Sequence, residues 1–249
     1  MRWHVLNTRP ADRAVALSQQ LRQAGHQVSE LPLLAFESCA LRYVDEQALQ
    51  SVANQSAVVV ISPIAAQLGL AHLARLGVSV QQVATHWIAV GQATAHVLRQ
   101  AGLQPMVPAL ETSEGVVALP LLSELTAGQS VMIWRGQAGR ELIQLQLQQQ
   151  QVQLNNLELY RRTAPRSLVQ DWERIQLTSW PDVVLISSGE AWRHWQQLTG
   201  AEATRSWLVV LGQRLFQQLQ LLTPRVVSVS DLQPQTIEQA LLSLPLDTV

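Results

Sequence analysis

Short apolar runs alternate along the chain with stretches whose apolar residues recur at three- and four-residue spacing. Val5 to Pro10 reads as a strand ending in a turn, and Ala14, Leu17 and Leu21 then mark one face of a helix that stops at Gly25. The same order returns from Val131 to Gly136, with a helix through Ile143 and Leu147. Arg9 thereby aligns with Arg135, and Leu31 with Leu157 at the same separation.

A second shared unit starts at the apolar run Val58 to Ile61, followed by Ser62 and Pro63. It returns as Val183 to Ile186, followed by Ser187, Ser188 and Gly189. A third pairs Trp87 to Gly91, followed by Gln92 to Ala95, with Trp207 to Gly212, followed by Gln213 and Arg214, treating the two tryptophans as equivalent strand starts. Val107 and the Val226–Val227 pair suggest further short strands. Continuous apolar strands alternating with helices predict parallel sheets covered on both faces, hence two similar α/β domains. Apolar residues interrupt the glutamine-rich stretch Gln144 to Gln153, which reads as a surface helix rather than a disordered tract.

Composition narrows the chemistry. With 249 residues, 47% hydrophobic and 14% charged, the chain can bury a sizeable core. No apolar run nears the ~20 residues that span a bilayer, and Met1 to Pro10 lacks a signal-peptide pattern, so a cytoplasmic location is expected. A net charge of -1 offers nucleic acid no broad attraction. All 17 basic residues are arginines, which excludes a lysine Schiff base and a Walker-type phosphate loop. The single cysteine, Cys39, excludes an internal disulfide and is expected to be a buried apolar filler. The six histidines show no metal-ligand spacing, so no metal site is expected. The eight tryptophans are expected to serve packing rather than base stacking.

Ligands of parallel sheets bind beyond the carboxyl ends of the strands, where turns lead into helices and backbone N–H groups favour anions. The candidates in the first copies are Thr8, Arg9, Ser62, Gly91, Thr94, Thr112 and Ser113. In the second copies they are Arg135, Gly136, Gly139, Ser187, Ser188 and Gly212. Taken singly, Thr112 and Ser113 also suit helix caps, and Gly91 a tight turn. Together they supply donors for a ligand with several carboxylates. Tyr160 ends an extended segment just before the break at Thr163 to Pro165 and is a candidate proton donor.

Val5 to Pro10, Arg135 to Ile143, Leu157 to Arg161 and Ile186 to Glu190, in that order, resemble the uroporphyrinogen-III synthase family in its gammaproteobacterial form, over roughly residues 3 to 245. The resemblance implies two flavodoxin-like domains joined by a two-stranded linker, with the substrate cleft between them. Residues 1–36 and 167–249 would form the first domain and 41–160 the second, with linkers at 37–40 and 161–166. It implies cyclisation of hydroxymethylbilane to uroporphyrinogen III, with inversion of the last ring through a spiro intermediate, loss of water and no cofactor.

On that reading Tyr160 matches the family's tyrosine and is the catalytic proton donor. Thr8, Arg9, Ser62, Gly91, Thr94, Ser113, Arg135, Gly136, Ser187, Ser188 and Gly212 bind the substrate. The implied partner is the linear tetrapyrrole, with transient contact to hydroxymethylbilane synthase and a monomeric state. Two departures stand out: Gly212 is followed by Gln213, Arg214 and Leu215, where relatives carry a hydroxyl, and Ser62 is followed by Pro63 rather than a second hydroxyl residue. The alternatives are a non-catalytic two-domain binder of a small polyanion and a scaffold for the tetrapyrrole pathway.

Overall fold

A computed structural model describes residues 2–80, 85–138 and 141–245. The chain divides into two compact units: Met1–Ala35 with Thr163–Val249, and Phe36–Arg162. The first unit opens with β1 (His4–Asn7), α1 (Ala11–Gln23) and β2 (Gln27–Glu30). The second contains β3 (Ala35–Ser38), α2 (Tyr43–Gln50), β4 (Ala57–Val60), α3 (Pro63–Arg75), β5 (His86–Ala89), α4 (Gln92–Gln100), α5 (Ser113–Val117), α6 (Pro120–Ser123), β6 (Ser130–Gly136), α7 (Leu142–Gln149) and β7 (Gln153–Thr163). The chain then returns to the first unit with α8 (Leu168–Gln176), β8 (Val183–Ile186), α9 (Gly189–Thr199), β9 (Trp207–Leu211), α10 (Gln213–Leu219), β10 (Val226–Val229) and α11 (Pro234–Ser243). The two crossings fall in β3 and at the end of β7, which are neighbours in the second unit's sheet.

The first unit's sheet runs β10-β9-β8-β1-β2, with every pair parallel. Counted along the chain within that unit, this is the flavodoxin-like order 2-1-3-4-5. Because successive side chains alternate across a strand, each strand feeds two cores. Leu6, Val184, Ile186, Leu208 and Val210 fill one face, and Val5, Val183, Leu185 and Val209 the other. The second unit repeats this. Val58, Val60, Met132 and Trp134 lie on one face of its sheet, and Ala57, Val59, Val131 and Ile133 on the other. Its order is β3-β7-β6-β4-β5, and Met106 extends it through a bridge to Ile88 in place of the strand suggested at Val107.

The internal repeat therefore does not coincide with the units. The first copy supplies β1 and β2 to one unit and β4 and β5 to the other, and the second copy supplies the complementary strands. Strand register also corrects two alignments. Ala57 pairs with Val131 while Val183 pairs with Val5, which makes Ser188, not Ser187, the counterpart of Ser62. Ala57 pairs with His86 while Val183 pairs with Trp207, so Trp87 corresponds to Leu208 rather than to Trp207. The glutamine-rich stretch is helical only to Gln149. Gln151 adopts φ 57°, and Gln153 begins β7.

His4 is buried at the start of β1, its ring nitrogens 2.9 Å from Ser29 Oγ and 2.9 Å from Ser179 Oγ, while its backbone N–H donates to Asp182. Burial lowers its pKa from the ordinary 6.5, against the opposing pull of Asp182. Burial and Arg75 do the same to His72. Between the depressed folded pKa and 6.5 the unfolded chain binds more protons, so this stabilisation is complete above pH 6.5 and falls away as pH drops below it. The urea midpoint is expected to fall between pH 7.5 and pH 5.5, and to fall less in His4→Gln. An identical pH dependence in the variant would remove His4 from this account.

Candidate active site

In the second unit the sheet order reverses between β6 and β4: β4 leads through α3 toward β5, whereas β6 leads through α7 toward β7. Such a switch point opens a crevice beyond the strand ends. A cavity of about 210 Å³ lies there, lined by Ser62, Ser113, Arg135, Gly136, Gln137, Tyr160 and Arg162 among others.

Ser62 follows β4 and caps α3. Its backbone is extended, its Oγ accepts the Ala65 N–H at 3.1 Å, and Pro63 occupies the first helical position, where a missing N–H costs nothing. Tyr160 reaches the site through an irregularity in β7. Arg135 pairs with Glu158 but Gly136 pairs with Tyr160, so one residue is skipped. The skip breaks strict alternation, and Leu159 and Tyr160 both join the core containing Trp134.

The Tyr160 ring is buried, packed edge-on against Phe36 with centroids 5.5 Å apart, and its hydroxyl lies 3.0 Å from Ser62 Oγ. Gly136 is the floor beneath the ring. A Cβ there would come within 2.6 Å of ring atoms, so this position admits no side chain while Tyr160 stays in place.

Arg135 is 4% exposed, and its Nε donates to the Gly136 carbonyl at 3.2 Å, which ties this charge to the cavity wall. Gln144, also on the wall, has a buried Oε1 with no donor among the described residues. Ser113 lines the cavity beside Thr112, whose side chain caps α5 by accepting the Gly115 N–H. The turn at Gly91 is already filled. Glu111 Oε2 accepts the Gln92 N–H at 3.1 Å, placing a carboxylate of the chain itself on the amino end of α4. Thr94, one turn further on, is 2% exposed.

The family model described as uroporphyrinogen-III synthase HemD matches residues 15–235. The chain belongs to the uroporphyrinogen-III synthase family. Uroporphyrinogen-III synthase of Salmonella typhimurium is 27% identical over 238 residues, covering 91% of this chain and 94% of that protein. A mutant uroporphyrinogen III synthase from the extremely thermophilic bacterium Thermus thermophilus has a similar fold, with TM-score 0.63 and 16% identity over 97% of this chain and all of that one. Uroporphyrinogen-III synthetase from Helicobacter pylori has TM-score 0.61 and 13% identity over 98% of this chain and all of that one. The family's α/β fold with two parallel-dominated sheets is the fold described above.

The first unit of this uroporphyrinogen-III synthase family member repeats the scaffold without the phenol. The separation that carries Arg9 onto Arg135 carries Leu34 onto Tyr160 and Pro10 onto Gly136. Ser188 caps α9 just as Ser62 caps α3, accepting the Ala191 N–H at 3.1 Å. Thr8 is buried, and its hydroxyl donates to the Leu185 carbonyl of β8, bracing two strands. Arg9 Nη1 donates to the Leu232 carbonyl at 3.3 Å, and burial together with Arg13 lowers its pKa. Ser187 is half-buried, and Gly212 has φ 81° at the start of α10, a conformation favouring glycine.

Cys39 corrects the expectation of a buried filler: it is half-buried on a polar cavity of about 420 Å³ with Arg42, Asp45 and Glu158, and burial raises its thiol pKa. Gly139 lies outside the described residues. Sequence reasoning passed over Glu111, Phe36 and Gln144. Glu111 directly precedes the Thr112 cap, which is the one local signal that could have drawn attention to it. Among the described residues no cluster of histidine, cysteine and carboxylate side chains could hold a metal, and no helix is long and apolar enough to cross a membrane.

Proposed function

We propose that this chain cyclises hydroxymethylbilane to uroporphyrinogen III, inverting the last ring and releasing water. The observation that carries the reading is Tyr160, held by Gly136, Phe36 and Ser62 at the switch-point cavity of a family member. Tyr160 donates a proton to the departing hydroxyl. The cavity is smaller than the ~300–1,000 Å³ that encloses a drug-sized ligand, and so suits one substituted ring, the ring bearing the hydroxymethyl group. The orphan Gln144 Oε1 is an acceptor for that ring's N–H.

Ser113, Arg135 and Gly136 in the second unit supply a hydroxyl, a guanidinium group and turn amides for the substrate carboxylates, and Arg9, Ser187, Ser188 and Gly212 of the first unit carry groups of the same kinds. Thr8 and Thr94 shape those turns from within, and Gly91 accommodates Glu111. The reading makes the enzyme a cytoplasmic monomer that needs no cofactor. A labile linear substrate favours brief contact with the hydroxymethylbilane synthase that makes it.

Hydroxymethylbilane also closes without inversion, so the enzyme must favour one closure, and a hundredfold preference needs only ~2.7 kcal/mol. Generating the substrate in situ, adding the protein, oxidising and separating the uroporphyrin isomers tests this directly. Type III should predominate and disappear when the protein is omitted. Type I alone would reject the reading.

A further inference from the structure

The Ser62 hydroxyl has one hydrogen and two lone pairs. One lone pair takes the Ala65 N–H at 3.1 Å, which fixes Oγ at the amino end of α3. The second contact of Oγ is the Tyr160 hydroxyl at 3.0 Å. If the phenol donated to the serine, the phenolic hydrogen would be consumed within the protein, and the serine hydrogen would have no acceptor among the described residues. If the serine donates, its hydrogen has an acceptor in Tyr160 and the phenolic hydrogen is left for a third atom.

We propose that Ser62 donates to Tyr160 and is the positioning residue that aims the phenolic hydrogen into the cavity. This role rests on the reading of Tyr160 as the proton donor. As the C–O bond of the hydroxymethyl group breaks, its electron pair leaves on oxygen, and that oxygen takes the phenolic proton and departs as water. The carbon left behind is stabilised by the pyrrole nitrogen.

The phenolate accepts the Ser62 O–H, whose oxygen is polarised in turn by the Ala65 N–H and the positive end of a 13-residue helix. The proton lost from the carbon skeleton after ring closure restores the phenol. The first unit contains the same cap without this function: Ser188 accepts the Ala191 N–H at 3.1 Å, but Leu34 holds the position equivalent to Tyr160.

The chain has two tyrosines, and Tyr43 is 74% exposed, so 13Cζ-tyrosine labelling provides one reporter signal and one solvent reference. Ser62→Gly removes the hydroxyl while leaving a residue tolerated at helix caps, and Ser62→Thr keeps both hydroxyl and cap. In Ser62→Gly the Tyr160 resonance should move and the Tyr43 resonance stay, while kcat for type III product falls at least tenfold at little-changed KM. Ser62→Thr should restore resonance and rate together.

An unmoved Tyr160 resonance would overturn the hydrogen bond. A moved resonance with unchanged kcat, or a change confined to KM, would overturn the positioning role. Failure of the unmodified protein to form type III product would sink the synthase reading and this role with it, whereas an active protein with a fully active Ser62→Gly variant sinks the role alone.

Discussion

Tyr160→Phe is expected to lower the rate of type III formation by about 10²–10⁴-fold, the usual contribution of a positioned general acid, and to shift the product mixture toward type I. The substitution isolates the hydroxyl. Phe keeps the ring on the Gly136 floor and the edge contact with Phe36, and it loses only the 3.0 Å bond to Ser62. Ser62 still accepts the Ala65 N–H, so the cap survives and the stability cost should be about 1 kcal/mol. Timed quenching followed by isomer separation reads rate and ratio from one experiment. Full rate with an unchanged isomer ratio would remove Tyr160 from the chemistry and leave the cavity a binding site only.

The layered α/β architecture was legible because buried parallel strands carry near-continuous apolar runs. The runs Val58 to Val60 and Val183 to Ile186 are wholly buried, and local composition suffices to mark them. The repeat was legible too, since an apolar run of the same kind leads up to Arg9 and to Arg135.

What the one-dimensional pattern could not carry was register. Ser187 and Ser188 both follow a strand, and only the pairing of Val183 with Val5 decides which of them caps a helix as Ser62 does. The candidate site divides in the same way. Tyr160, Ser62, Ser113, Arg135 and Gly136 come together because each sits near a strand end or in a turn that leads into a helix. Phe36, Glu111 and Gln144 reach this region through tertiary packing, which leaves no periodic trace. Thr8 and Thr94 look like the other turn hydroxyls in the sequence, yet both are buried, and burial is a property of the packed unit.

Trp134→Ala is expected to destabilise the second unit by about 3–5 kcal/mol, the usual cost of removing a large buried aromatic side chain. Trp134 is fully buried on β6, edge-on to Trp87 with centroids 5.2 Å apart, and its Nε1 donates to Met132 Sδ at 3.1 Å. Its ring rests on α3 at Gly69, where a Cβ would lie 2.2 Å from the ring. The fit is tight from both sides, so Gly69→Ala should cost ~1–3 kcal/mol through overpacking.

Because each unit has its own core, the loss falls on one of them. Urea unfolding of Trp134→Ala should separate into two steps, with the second unit melting first while Trp172, Trp192 and Trp195 keep their native emission in the first. A single unshifted transition would show that this contact does not hold β6 against α3. Trp134 immediately precedes Arg135 and Gly136, so the same variant should lose synthase activity at urea concentrations where the first unit remains folded.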